Sequence, residues 1–214
     1  GLGVRGAALA TVLSQASAAA VAARMLFGRR SRLKVHPSQC RLDLALGWRI
    51  LRIGIPGSGQ MLSRSLMGLV MMRIVAGCGT AAVAAYGLGL RIHMIVLMPA
   101  FALGGAAATL VGQNLGAGQP ERARRSAWLA SGIDAAFMAF AAVVLVLFAA
   151  DVLSFFNREH EVIRVGARYL RIVSPSYVFA ALGIVLGRGL QGAGDTMAPM
   201  VITIVTLWGL QVPL

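Results

Sequence analysis

Residues 141 to 149 read AAVVLVLFA, an uninterrupted apolar run inside a longer apolar stretch at about 125 to 149. Strands of a membrane barrel alternate apolar and polar residues over about ten positions, and this run shows no alternation. An apolar stretch of about 20 residues can cross a hydrocarbon core of roughly 30 Å as a helix. The run therefore predicts a membrane-spanning α-helix.

The rest of the chain has the same character. Its 214 residues are 58% hydrophobic and 13% charged, with a mean hydropathy of +0.78, too apolar for an ordinary soluble domain. We predict an all-α membrane protein with six helices, at about 3 to 27, 55 to 76, 82 to 111, 125 to 149, 169 to 190 and 197 to 214. Gly1 is not a start methionine and Leu214 ends in an apolar run, so we expect a fragment.

Glycine and proline indicate how these helices meet and bend. The 26 glycines suit close helix packing in lipid, and the predicted contact positions are 102 to 108 (ALGGAAA), 180 to 189 (AALGIVLGRG), Gly87 and Gly89. Proline removes a backbone donor, so we expect bends at Pro56, Pro99 and Pro175.

The positive charges predict orientation. Basic residues accumulate in short cytoplasmic loops. The loop 28 to 54 carries Arg29, Arg30, Arg32, Lys34, Arg41, Arg49 and Arg52, whereas 77 to 81 carries none. We therefore place 28 to 54, 112 to 125 and 189 to 199 inside, and 77 to 81 and a loop around 150 to 171 outside.

The net charge of +13 does not indicate a nucleic-acid partner, because the arginines are spread over loops between apolar spans. Anionic lipid headgroups are the expected partner. Cys40 and Cys78 fall on opposite sides of the predicted topology and cannot pair. Two thiols without C-x-x-C spacing do not make a zinc site, so neither a metal nor a cofactor is expected.

Two glycine-containing loops resemble each other. In 111 to 124 (VGQNLGAGQPERAR), Gly112, Gly116 and Gly118 predict a tight helix exit before Pro120, and a positive φ is expected at Gly116 and Gly118. In 189 to 199 (GLQGAGDTMAP), a glycine pair ends one helix and Asp195 or Thr196 caps the next. A P-loop needs a lysine that neither stretch provides.

These loops, with other segments, resemble the multidrug and toxic compound extrusion (MATE) family. The similar segments are GVRGAALAT (3 to 11), IGIPGSGQMLSRSL (53 to 66), AAVAAYGLGLRI (81 to 92), LVGQNLGAGQPERAR (110 to 124), LQGAGDT (190 to 196) with Pro199, and LWGLQVPL (207 to 214). The resemblance implies a twelve-helix protein of two lobes. Residues 1 to 27 would be the last helix of the first lobe, 28 to 54 a basic interlobe linker, and 55 to 214 helices seven to eleven.

The resemblance also implies a function: antiport that exports amphipathic, often cationic drugs in exchange for protons or sodium ions, in a plasma or bacterial inner membrane. Some members hold cations with acidic residues on helices seven and ten, but 55 to 76 and 169 to 190 contain neither Asp nor Glu. The coupling ion stays open. An oligosaccharide-lipid flippase of the same superfamily is the alternative. A membrane enzyme is less favoured, since His36, His93 and His160 occupy unrelated positions, and no obligate protein partner is evident.

Ionisable residues inside membrane spans are costly and need a partner or a hydrated cavity. Arg64, Arg91 and Asp134 are predicted near mid-depth. They could form an ion-paired cluster on the transport pathway. Alternatively, the arginines bond carbonyls at helix bends and Asp134 neutralises one of them.

Further candidates present neutral groups. Gln60, Tyr86, Tyr177 and Gln211 could offer hydrogen bonds to a cavity, and His93 could relay protons or bond a neighbour. Six methionines offer adaptable apolar surface: Met61, Met67, Met71, Met72, Met94 and Met98. Packing explains these residues equally well.

Overall fold

The computed structural model describes residues 3–27 and 43–211, and its elements there are helical. They are α1 (Gly3–Phe27), α2 (Leu44–Ala76), α3 (Thr80–Gly116), α4 (Pro120–Phe156), α5 (His160–Val173), α6 (Tyr177–Gly192) and α7 (Met197–Ile204). A 3₁₀ turn, Ser174–Ser176, joins α5 to α6, and a π-helical segment, Val205–Gln211, continues α7. The chain divides into two compact units, residues 1–48 and 49–214.

The first unit contains α1, whose bounds match the predicted helix at 3 to 27. Its described side chains are almost all exposed, as expected of a helix with little packing of its own. Most of the predicted linker, with Cys40 and its cluster of basic residues, lies outside the described residues. The division into lobes and linker stays a prediction.

Helix α2 begins at Leu44, eleven residues before the predicted start at 55. The carboxylate of Asp43 accepts hydrogen bonds from the backbone N–H groups of Ala45 and Leu46, at 2.9 and 3.2 Å. This is N-capping of the first helical turn. Arg49 and Arg52 are therefore helical, and the expected loop at 44 to 54 is wrong because hydropathy marked the apolar part of the helix only.

The core of the second unit lies between α3, α4 and the α5–α6 pair, whose backbones pack closely. Its buried residues include Ile92, Leu97, Ala100, Met138, Leu145, Leu153, Leu170, Tyr177 and Ala181. Small residues permit this approach: a Cβ on Gly192 would overlap the backbone of Ala108. Gly89 likewise faces the ring of Tyr169, whereas a Cβ on Gly87 would meet no atom within 4 Å in the part of the chain that the structure describes, so the predicted contact at Gly87 is not formed there.

Helices α3 and α4 exceed their predicted bounds of 82 to 111 and 125 to 149. Each has 37 residues, and at 1.5 Å per residue each is about 55 Å long. A hydrocarbon core of roughly 30 Å cannot cover that length, so the polar ends project beyond it or the helices tilt. Hydropathy found the apolar middle of each helix, while the helical backbone continues into the polar ends.

The predicted outer loop around 150 to 171 is wrong. Only residues 157–159 connect α4 to α5, and α5 is helical from His160. Val162, Gly166 and Leu170 recur at four-residue spacing and are buried, while the arginines of α5 lie on the exposed face. Such an amphipathic helix averages to low hydropathy and escapes a search for apolar runs.

The two glycine-containing loops adopt the same helix-ending geometry. Gln119 N–H donates to the Asn114 carbonyl at 2.8 Å, and Asp195 N–H donates to the Leu190 carbonyl at 3.0 Å. The residues before them, Gly118 (φ 69°) and Gly194 (φ 92°), are left-handed, which completes a Schellman motif in each loop. Gly116 has no positive φ, so that part of the prediction is wrong.

Asp195, rather than Thr196, caps α7. Its carboxylate accepts hydrogen bonds from the N–H groups of Met197 and Ala198, both at 3.1 Å. The backbone is interrupted at Pro175, within the 3₁₀ turn, while Pro56 and Pro99 lie inside continuous helices. A break in α4 at Phe148 (φ −109°, ψ 23°) was not predicted.

Among the described residues, four helical stretches are long and apolar enough to cross a membrane: Arg5–Leu26, Thr80–Gly116, Pro120–Phe156 and His160–Gly192. Two predicted spans do not meet that description. Helix α2 has 33 residues but contains four arginines, and the apolar helix Met197–Gln211 is shorter.

Candidate functional site

A polar network joins α2 to α6 and α7. The Gln60 side-chain amide donates to the Pro199 carbonyl at 3.0 Å and to the Thr203 hydroxyl at 2.7 Å. Its oxygen accepts a bond from Gln191 at 3.1 Å. A glutamine amide has two donor hydrogens and one acceptor oxygen, so Gln60 uses both kinds of group at once.

A second contact extends the network along α2. The Trp208 indole N–H donates to the Ser63 hydroxyl at 2.7 Å. Ser63 lies three residues after Gln60, on the same helix face, and it is 7% exposed. The backbone of α2 does not approach the α3–α6 core closely. These side-chain bonds therefore contribute to the attachment of α2 to its neighbours, together with buried side chains such as Met67.

Two arginines lie beside the network. Arg64 lies one turn after Gln60 on α2, and Arg188 lies three residues before Gln191 on α6; both are exposed. Arg188 also donates a long hydrogen bond, 3.4 Å, to the Gln191 oxygen. The ion pairs among the described residues involve neither arginine; they join Arg124 to Glu121 and Arg164 to Glu161. The site thus combines neutral donors and acceptors with unneutralised positive charge.

Asp134 lies apart from the arginines. Its side chain is fully buried in α4, and neither carboxylate oxygen has a hydrogen-bond partner among the described residues. The predicted cluster with Arg64 and Arg91 is therefore wrong. A charged aspartate at the centre of a membrane helix costs roughly 2.5–3.5 kcal/mol on insertion scales. Among the described residues, Asp134 has no counterion that would offset such a cost.

His93 and Tyr177 also hold buried polar atoms without a partner in the described structure, Nδ1 of the imidazole and the phenol oxygen. Their ring centroids are 5.2 Å apart. The core therefore concentrates unpaired polar atoms on α3, α4 and α6, although native interiors leave few such atoms.

The remaining candidates are scattered. Arg91 is exposed, Tyr86 packs edge-on against Tyr169 at 5.7 Å, and Gln211 is exposed at the end of the π-helical segment. Of the methionines, Met61, Met72, Met94 and Met98 are exposed, Met71 is half-buried and Met67 is buried. Met67 is a packing residue, and the exposed four remain available as soft surface.

Sequence reasoning missed several partners in the network, namely Ser63, Gln191, Thr203 and Trp208. One signal was available: Gln60 and Ser63 are three residues apart, as are Arg188 and Gln191, so each pair shares a helix face. Whether these two helix faces contact each other depends on how the helices pack, which cannot be read from a single sequence. Within the described residues no group of histidine, cysteine or acidic side chains could hold a metal ion.

Long apolar helices that enclose polar side chains define a polytopic helical membrane protein, and comparisons with known proteins identify its family. The MatE family model matches residues 56–214. The chain belongs to this family, whose members are transporters and not enzymes. It is an integral membrane protein.

Similar proteins cover the whole chain. A "Probable multidrug resistance protein NorM" from Thermotoga maritima is 27% identical over 99% of this chain and 46% of its own length. An "FAD transporter" from Shewanella oneidensis is 27% identical over 100% of the chain and 47% of its own length. A crystal structure of MATE in the straight conformation has a TM-score of 0.91 at 24% identity, over 100% of this chain and 48% of that one. The chain thus spans about half the length of the relatives it matches.

Proposed function

We propose that the full-length protein is a secondary active antiporter that exports amphipathic, often cationic compounds in exchange for protons or sodium ions. It would act in the inner membrane of a bacterium, with membrane lipids as its surroundings and without a cofactor, nucleic acid or obligate protein partner. The observation that carries this proposal is the family match across residues 56–214. Relatives named as multidrug resistance proteins support the substrate class.

The surface of the chain is consistent with broad specificity. Met61, Met94 and Met98 are each more than half exposed on α2 and α3. Flexible thioethers adapt to apolar ligands of different shape, a property of promiscuous binding surfaces. We propose that those methionines that face the transport pathway contribute such adaptable contacts.

Efflux in cells tests this proposal. Expression of the full-length protein in bacteria lacking their own multidrug pumps should lower accumulation of ethidium, a fluorescent organic cation. Collapsing the proton gradient or the sodium gradient separately should identify the ion that drives export. Unchanged ethidium accumulation, with the protein present in the membrane, would contradict the proposal.

Arg64 and Arg188 favour a second candidate. Two arginines beside one polar network, without a carboxylate partner among the described residues, suit an anionic substrate, because arginine binds phosphate and carboxylate with paired hydrogen bonds. The Shewanella relative is named as a transporter of FAD, a phosphate-containing compound. The flippase alternative would use the same charges. Export of FAD but not of ethidium, lost in Arg64→Gln and Arg188→Gln, would favour an anion exporter.

A further inference from the structure

The carboxyl group of Asp134 lies between two apolar clusters. Ala130, one turn before it, packs with Ala107 of α3 and Val185 of α6. Met138, one turn after it, belongs to the larger core cluster that includes Ala100 and Ala181. Residues four apart share a helix face, so the Asp134 side chain projects into the same interface between α3, α4 and α6.

This position isolates the carboxyl group. Asp134 is 0% exposed, and neither oxygen has a hydrogen-bond partner within the part of the chain that the structure describes. Because the three helices cover it, a group from elsewhere in the protein can reach it only after they separate. An unpaired carboxylate is unfavourable in apolar surroundings, whereas the neutral acid carries no net charge and is accommodated more easily.

The titratable groups on the elements that enclose Asp134 do not replace a counterion. Arg91 and His93 are on α3, and Tyr177 and Arg188 are on α6; none hydrogen-bonds to Asp134. Helix α5 packs on the C-terminal part of α4, where Gly166 contacts Leu153. The charged residues of α5 lie on its exposed face.

We propose that Asp134 is a proton-binding site of the transport cycle, an inference that rests on the antiport proposed above. While the helices separate and water enters, the carboxylate exchanges protons with water. Before they close, a hydronium ion transfers a proton to a carboxylate oxygen: one O–H bond of hydronium breaks, one O–H bond forms on Asp134, and water leaves. The group that is then buried is the neutral acid.

Two features weaken the regular backbone hydrogen bonding of the enclosing helices. Proline removes a backbone hydrogen bond at Pro99 in α3, and the 3₁₀ turn Ser174–Ser176 lies between α5 and α6. The contacts of Ala130 and Met138 place Asp134 level with about residue 103 of α3 and residue 183 of α6. At 1.5 Å per residue, Pro99 lies about 7 Å from that level and the 3₁₀ turn lies about 12 Å from it.

Transport by the purified full-length protein in liposomes tests the proposal, with ethidium as the probe. Asp134→Asn, which resembles the neutral acid, should reduce ethidium movement driven by a proton gradient about tenfold or more. Ethidium exchange without a gradient should persist, and Asp134→Glu should retain part of the coupling. Asp151→Asn, the same change at an exposed position of α4, should behave as wild type.

Infrared difference spectra between acid and alkaline pH give a second readout that needs no substrate. The wild type should show the C=O stretch of a protonated carboxylic acid that Asp134→Asn lacks, and this measurement remains informative even if ethidium is not transported. Absence of that band from the wild type would overturn the proposal, as would full gradient-driven transport by Asp134→Asn. Loss of folded protein in both Asp134→Asn and Asp134→Leu would also overturn it, because a neutral side chain should fit.

Discussion

Gly116 and Gly118 lie two residues apart but have different backbone conformations. Gly118 has φ 69°, while Gly116 ends α3 without a positive φ, and a Cβ at either position would meet no neighbouring atom within 4 Å. Backbone conformation, and not space, therefore distinguishes them. A β-branched residue strongly disfavours the left-handed region.

Gly118→Val should destabilise the full-length protein by about 1–3 kcal/mol, the range for a non-glycine residue held in a sparsely populated conformation. Gly116→Val is the matched control and should cost less. Thermal unfolding in detergent and membrane yield measure both effects. Equal losses in the two variants would contradict the assignment of left-handed strain to Gly118.

The isolation of Asp134 makes a further residue-level prediction. Because Asp134 contacts neither Arg64 nor Arg91 in the described structure, a double-mutant cycle of Asp134→Asn with Arg64→Gln should be additive within about 0.5 kcal/mol. The unfolding temperatures of the wild type, both single variants and the double variant provide the measurement. A coupling energy above about 1 kcal/mol would indicate an ion pair.

Helix α2 makes few close backbone contacts with the other helices, and Gln60 connects it to them through side-chain hydrogen bonds. Gln60 makes three bonds that reach α6 and α7. Interhelical hydrogen bonds in a membrane average roughly 0.6 kcal/mol each, so Gln60→Leu should cost about 2 kcal/mol. The loss should appear as a lower unfolding temperature of the full-length protein.

Gln113→Leu makes the same substitution at an exposed position and is the control for Gln60→Leu. Cysteine labelling on α2 adds a local readout, since α2 should become more accessible when its polar contacts are removed. If Gln60→Leu and Gln113→Leu unfold at the same temperature, the network does not hold α2.

The distribution of basic residues along the chain predicts which loops lie on the cytoplasmic side of the membrane. Single cysteines at Ser38 and Gln119, in the full-length protein lacking Cys40 and Cys78, should react only with reagents that reach the cytoplasm. A cysteine at Thr80, the first residue of α3, should react from outside. If the cysteine at position 119 is labelled from outside and the cysteine at position 38 from inside, the predicted number of membrane crossings between the two positions is wrong.

The membrane class, the helical middle of the spans and the glycine-ended turns can be predicted from the sequence. These features follow from local chemistry: apolar runs match the thickness of the bilayer, and a left-handed helix exit strongly favours glycine. Local composition failed where a helix continues through polar residues, as in α5 and at the start of α2. In α5 the helical spacing of the apolar residues indicates a helix, and at the start of α2 the Asp43 N-cap does so. A hydropathy average detects neither feature.

Helix packing, which a single sequence does not show, determines which polar side chains form hydrogen bonds with each other. Gln60 and Thr203 are far apart in sequence and bond at 2.7 Å, while Asp134, near Arg64 in predicted depth, has no partner in the described core. Depth along a helix follows from counting residues, but rotation about the helix axis and the choice of neighbouring helix follow from packing across the bundle. That packing placed Gln60 in a bonded network and enclosed Asp134 among apolar side chains.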